Sequence, residues 1–265
     1  MHLAILFWFY KDPVVCLDRV KLLRKYNPEA RIYGLYGGDL SEADRFKTLL
    51  SDHLDDFYVY EREETPDWKW LNGDLMLLNW YVNRGAILSW DSIVVVQWDL
   101  LIFASLESQF RGIRKGDIFL SGYRELDKRI EESWGWTRPK GRDRDNYENF
   151  KRHIRNDCNY EGKIMCCKFV LEVLPRVFFE KYSQEKGKIY GMIEYRIPTY
   201  ANMYGLNIFE KDLGDLWTRH GAKDTVTKFQ PINTQATAIS KKNITAQLSK
   251  TSGRRVFHPY FNSWE

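Results

Sequence analysis

Cysteine is scarce in this 265-residue chain: Cys16, Cys158, Cys166 and Cys167 are the only four. None has metal-site spacing, and the adjacent Cys166-Cys167 pair bridges only under strain, so reduced thiols of a cytoplasmic protein are expected. No apolar run reaches the roughly 18 residues that cross a bilayer. "MHLAILFWFY" is apolar, but it lacks a basic leader and a small-residue cleavage site, and Lys11-Asp12-Pro13 stops it short. Neither a signal peptide nor a transmembrane segment is therefore expected. Neither sign of charge dominates. The formal net charge of +4 is too small to point to nucleic acid, and its excess gathers late, at Lys241, Lys242, Lys250, Arg254 and Arg255. No internal repeat is present.

Aromatic residues, by contrast, are abundant. Ten Trp, sixteen Tyr and fifteen Phe exceed what a core of this size needs. Such a surplus either fills an aromatic core or lines a site for flat, partly polar ligands such as sugars and nucleobases.

The first hundred residues alternate regularly. "LAILFWFY" (3–10) reads as a buried strand and "KDP" as the turn after it. "VVCLDRVKLLRKYNPEA" is helical, ended by Asn27-Pro28, and "RIYGLYGG" (31–38) is a second strand. This βαβ start implies a parallel pair. A helix at 41–53, a strand at 56–60, a helix at 69–85 and the strand 92–97 follow. Beyond 104 the order loosens: 117–126 reads as a strand, 127–160 as irregular, 168–184 as helical with a proline interruption, and 191–206 as a strand or turn leading into a helix. From about 221 the composition favours a loop or mobile arm. "RRVFHPYFNSWE" is aromatic again and should dock back on the body. The expected fold is α/β, a single domain with a mostly parallel sheet flanked by helices. It divides into 1–105, 106–220 and a basic arm with a C-terminal segment at 221–265.

One strand raises a chemical question. "SIVVVQWDLLIF" (92–103) is apolar on both faces, yet it is broken by Gln97-Trp98-Asp99. An unpaired buried carboxylate costs several kcal/mol. At the carboxyl end of a parallel strand, where doubly wound sheets bind ligands, it is a candidate holder of a hard cation shared with substrate phosphates. The other reading is an N-cap for a following helix.

A βαβ half followed by an apolar strand ending in an acidic triplet resembles the GT-A-fold glycosyltransferases, which use nucleotide-diphosphate sugars. Their D-x-D triplet aligns with Gln97-Trp98-Asp99, with Gln97 in place of the first acid. The resemblance implies Asp99 as a ligand of Mn²⁺ or Mg²⁺, with Gln97 and Trp98 beside the donor. It also implies that a histidine near the C-terminus, here His258, completes the metal site, and that Arg254 and Arg255 meet the diphosphate. Lys11 and Asp12 fall where the family contacts nucleobase and ribose, and Asn72 and Asp74 where it touches the donor sugar; the alternative for Asp12 and Asp74 is an ordinary cap or an exposed helix residue. Glu194, in "GMIEYRIPTY", falls where inverting members carry their general base. Its alternative is an ion pair with Arg196. Trp134 and Trp136 either stack on acceptor sugars or pin a loop.

The implied activity is metal-dependent hexosyl transfer to the hydroxyl of a carbohydrate or glycolipid acceptor, in cytoplasmic polysaccharide biosynthesis, with no nucleic acid as partner. A retaining mechanism, or a non-catalytic sugar- or nucleic-acid-binding protein on the same fold, is the alternative. A nucleotidyltransferase is disfavoured because "FYKDPVV" has no glycine-rich loop.

Overall fold

Strand β1 (Leu3–Phe9) is buried on both faces. Ala4, Leu6 and Trp8 point into one apolar cluster and Ile5, Phe7 and Phe9 into another. That double burial explains why its sequence is continuous rather than alternating. In the computed structural model, which describes residues 1–214, 229–233 and 237–265, β1 leads into helix α1 (Pro13–Tyr26), β2 (Ile32–Tyr36), α2 (Ala43–Leu50) and β3 (Asp56–Val59). Two short helices, α3 (Pro66–Leu71) and α4 (Gly73–Asn83), then precede β4 (Ser92–Gln97).

The central sheet has the order β3-β2-β1-β4-β9-β6, where β6 is Phe119–Leu120 and β9 is Leu171–Pro175. Strands β1 to β4 are parallel, and β9 runs antiparallel to both β4 and β6. Helices α1 and α2 cover one face. Helix α4, with α7 (Arg144–Asn156), α8 (Arg176–Gln184) and α9 (Ile193–Met203), covers the other. This is the mostly parallel, helix-flanked α/β architecture expected.

Three expectations beyond residue 104 are corrected. The span 127–160 is not irregular: it holds α6 (Lys128–Ser133) and α7. The span 168–184 is not one helix, because its first half is β9. Val170, Leu171, Val173 and Leu174 suit a helical stripe, yet both faces are buried when they pair against β4. The arm expected from 221 contains helix α10 (Lys241–Leu248), capped by Ser240 and anchored by buried Ile244 in a third cluster with Leu22, Phe103, Phe257 and Tyr260. Lys241, Lys242 and Lys250 therefore sit on or just after a docked helix. Residues 221–228 and 234–236 of that arm lie outside the described residues.

The helix expected over 69–85 is broken between α3 and α4 at Asn72 (φ −122°, ψ 30°). Trp8 needs the space: a Cβ on Gly73 would lie 2.2 Å from its Cη2.

Candidate functional site

Strand β4 ends in a turn, with Leu100 N donating to the Gln97 carbonyl at 3.1 Å. The chain then enters β5 (Leu101–Ile102), which pairs antiparallel with the C-terminal β10 (Val256–Phe257). A strand rather than a helix follows Asp99, so the capping alternative falls. Asp99 is 9% exposed, and its carbonyl accepts from Tyr260 N at 2.9 Å. Carboxylate oxygen Oδ1 is buried with no hydrogen-bond partner among the described residues. Oxygen Oδ2 lies 3.5 Å from His258 Nε2.

The histidine's orientation is determined from behind. Its Nδ1 lies 2.8 Å from the Asn233 carbonyl oxygen, which can only accept, so Nδ1 carries the hydrogen. In the neutral ring Nε2 then presents its lone pair to the carboxylate. Two acceptors that face each other at this distance form a donor pair suited to a cation.

Two residues before Asp99, on the opposite face from Trp98, Gln97 lines a cavity of about 50 Å³ with Trp8, Trp70, Phe169 and Glu194. Its Nε2 donates to the Phe169 carbonyl at 2.7 Å. Glu194 opens the first turn of α9. Pro198 has no N–H to give the Glu194 carbonyl, and Cys167 N supplies that bond at 2.8 Å, fastening the helix start to the neighbouring loop. The Glu194 carboxylate receives no hydrogen bond from the described residues. Burial pushes its pKa up to about 8, with the charge of Lys168 opposing.

Arg196 does not pair with Glu194. Its Nε and Nη2 grip Asp74 at 2.6 Å each, Nη2 also donates to Asn72 Oδ1 at 2.9 Å, and Nη1 holds the carbonyls of Lys188, Tyr190 and Gly191. Tyr182 donates to Asp74 at 2.6 Å. Asp74 is 1% exposed and Arg196 fully buried. Asn72 and Asp74, expected at the donor sugar, are instead committed to a buried ion pair that positions α9.

Other expected contacts are also relocated. Arg254 is engaged by Asp212, at 2.7 Å to its carboxylate. Arg255 closes the carboxyl end of α10 by donating to the Gln247, Gly253 and Lys250 carbonyls. Both guanidiniums thus have partners within the chain, Arg254 in an exposed ion pair. Asp12, in the left-handed region at φ 55°, caps α1 by accepting from Val15 N at 3.1 Å. Lys11 is exposed, with Nζ 4.7 Å above the Trp98 ring. Trp98 itself is buried and stacks on Phe261. Trp136 meets Trp70 at 4.8 Å, and Trp134 packs on Tyr195.

The sequence reading missed Tyr10, Trp70, Phe169 and Asn233. Tyr10 was the findable one, since it directly follows β1, beside Lys11. Its phenol is pushed up by burial, with the Asp99 charge adding to the shift. Glu172, on β9, was also missed. It is fully buried, burial pushes its pKa well above the usual carboxylate range, and Ser121 Oγ donates to it at 3.1 Å.

No family profile and no curated protein matches the chain in sequence. Among solved structures, mouse xyloside xylosyltransferase 1 is similar at 14% identity over 81% of this chain and 86% of that one, with a TM-score of 0.40. A cytidylyltransferase from Leptospira borgpetersenii shares 12% over 80% and 76%, at 0.43. The galactosyltransferase LgtC, in complex with donor and acceptor sugar analogues, shares 11% over 77% and 72%, at 0.40. Likeness of this degree leaves the site to be argued from the chain's own side chains.

Proposed function

We propose that this chain is a glycosyltransferase that moves a hexosyl group from a nucleoside-diphosphate donor to an acceptor hydroxyl. In this reading Asp99 and His258 hold Mn²⁺ or Mg²⁺, and Glu194 is the general base. One observation carries it: at the carboxyl end of β4 a buried carboxylate, whose Oδ1 has no partner among the described residues, faces His258 Nε2, and Gln97 of the same strand lines a cavity with Glu194.

The donor set fits the ion. Carboxylate oxygen suits hard divalent cations and neutral imidazole is a common metal ligand, while the Asn233 carbonyl supplies the outer partner that orients the ring. No group of three His, Cys, Asp or Glu ligands is found among the described residues. Two protein ligands completed by substrate phosphates and water is a usual arrangement for Mg²⁺. When bound, such an ion neutralises charge developing on a leaving diphosphate.

The chain's residues perform the remaining tasks. Lys11, exposed just past the carboxyl end of β1, adds a positive charge for the diphosphate. Glu194 takes the proton from the acceptor hydroxyl as its oxygen attacks the anomeric carbon, while the bond from that carbon to the diphosphate breaks. The Gln97 amide oxygen, which accepts no hydrogen bond from the described residues, takes one from a donor or acceptor hydroxyl.

Calorimetric titration of UDP and GDP, with and without Mn²⁺, tests the assignment. One nucleotide should bind only when the metal is present, and Asp99→Ala should abolish that dependence while leaving the circular dichroism spectrum unchanged. Equal affinity with and without metal, or an unaffected Asp99→Ala protein, overturns it.

A further inference from the structure

Trp70, at the end of α3, is 54% exposed, whereas most tryptophans in this chain are buried or packed. A single exposed apolar side chain is ordinary on a protein surface. The position of Trp70 is specific. It lines the same cavity as Gln97 and Glu194, and it meets Trp136 at 4.8 Å with the rings inclined by 64°, which restrains its orientation.

The cavity's size determines what can enter. About 50 Å³ admits a few water-sized groups, since one water needs roughly 10–15 Å³ on the same measure. A hydroxyl reaches Glu194, but a whole sugar ring does not. The ring that carries the hydroxyl must rest at the mouth, where the exposed group is Trp70.

We infer that Trp70 is the acceptor platform: the acceptor is a pyranoside whose apolar ring face stacks on the Trp70 indole while one hydroxyl projects past Gln97 to Glu194. This rests on the transferase reading and extends it to the acceptor's class, a sugar ring rather than an amino-acid side chain or a simple alcohol. An indole offers a flat apolar surface that matches the C–H face of a pyranose, and its edge pairing with Trp136 means little freedom is lost on binding.

The test is saturation-transfer NMR on the intact protein with methyl β-galactoside and methyl β-glucoside, using glycerol as a ringless polyol control. Each is measured with and without UDP or GDP plus Mn²⁺. At least one glycoside should receive saturation on the protons of a single ring face, and glycerol should receive none. Trp70→Ala should weaken that glycoside roughly tenfold, with Trp70→Phe intermediate. Because Trp70 is largely exposed, both variants should keep the wild-type melting temperature and the wild-type metal-dependent nucleotide affinity. Absence of a face-selective signal from both glycosides, equal saturation of glycerol, or an unchanged signal in Trp70→Ala overturns the platform. Loss of nucleotide binding in the wild type, with the glycoside signal intact, overturns the transferase reading and leaves the platform standing.

Discussion

Phe169 presents a carbonyl oxygen at the end of β4, and the Gln97 amide donates to it at 2.7 Å. A carboxylate at position 97 has no hydrogen to give and would face that oxygen as a second acceptor. Gln97→Glu should therefore destabilise the fold by about 1–3 kcal/mol in urea titration; an unchanged midpoint would show that the bond contributes nothing. Glu194 gives a prediction with a definite sign. Its folded pKa, near 8, is above the roughly 4.3 of an unfolded glutamate. The stability it contributes is complete below the unfolded value and is lost as pH rises through about 8. Glu194→Gln escapes that loss, so its melting temperature should match the wild type's at about pH 5 and exceed it at about pH 9. A difference that does not vary with pH would contradict the raised pKa. The same variant should spare donor binding but lower turnover at least about a hundredfold, and the wild-type rate should climb with pH as Glu194 ionises.

Helix α9 carries Glu194 and is held at both sides of its first turn. Arg196 ties it to α4 through Asp74, and the Cys167 N–H satisfies the carbonyl that Pro198 leaves open. Breaking one side of a fully buried ion pair costs far more than a surface pair, because the surviving charge has no water to turn to. Arg196→Ala should cost about 3–5 kcal/mol, measured by denaturant unfolding. A loss below about 1 kcal/mol, typical of exposed pairs, would mean that the network does not anchor the helix.

The metal-site candidates, Asp99 and His258, are far apart in the sequence, and their meeting depends on how the C-terminal segment lies down. β10 pairs with β5, Tyr260 N bonds the Asp99 carbonyl, and Arg19 Nη2 holds the Tyr260 and Asn262 carbonyls at 2.8 and 2.7 Å. Arg19 is almost wholly buried beneath this strap. Arg19→Met keeps much of its bulk and removes the clamp. Mn²⁺-dependent nucleotide affinity should then fall about tenfold or more, the range seen when groups behind a ligand are lost. Hydrogen exchange at 256–262 should quicken as well. Wild-type affinity together with faster exchange would separate the strap from the site.

Residue pattern alone determined the βαβ start, the doubly buried β4 and the placing of Asp99 at its end. These are local facts, since period and burial leave their mark on neighbouring residues. Pattern alone could not separate β9 from a helix, because four apolar residues in five satisfy either geometry. It also could not choose the partner of Arg196: residues two apart on a helix do not face each other, and Asp74 arrives from another element. The tertiary structure alone decided that Arg254 and Arg255 are spent on Asp212 and α10, and that His258 turns its lone pair to Asp99. Each of those outcomes depends on groups distant in the chain competing for the same donors, and a linear pattern does not encode that competition.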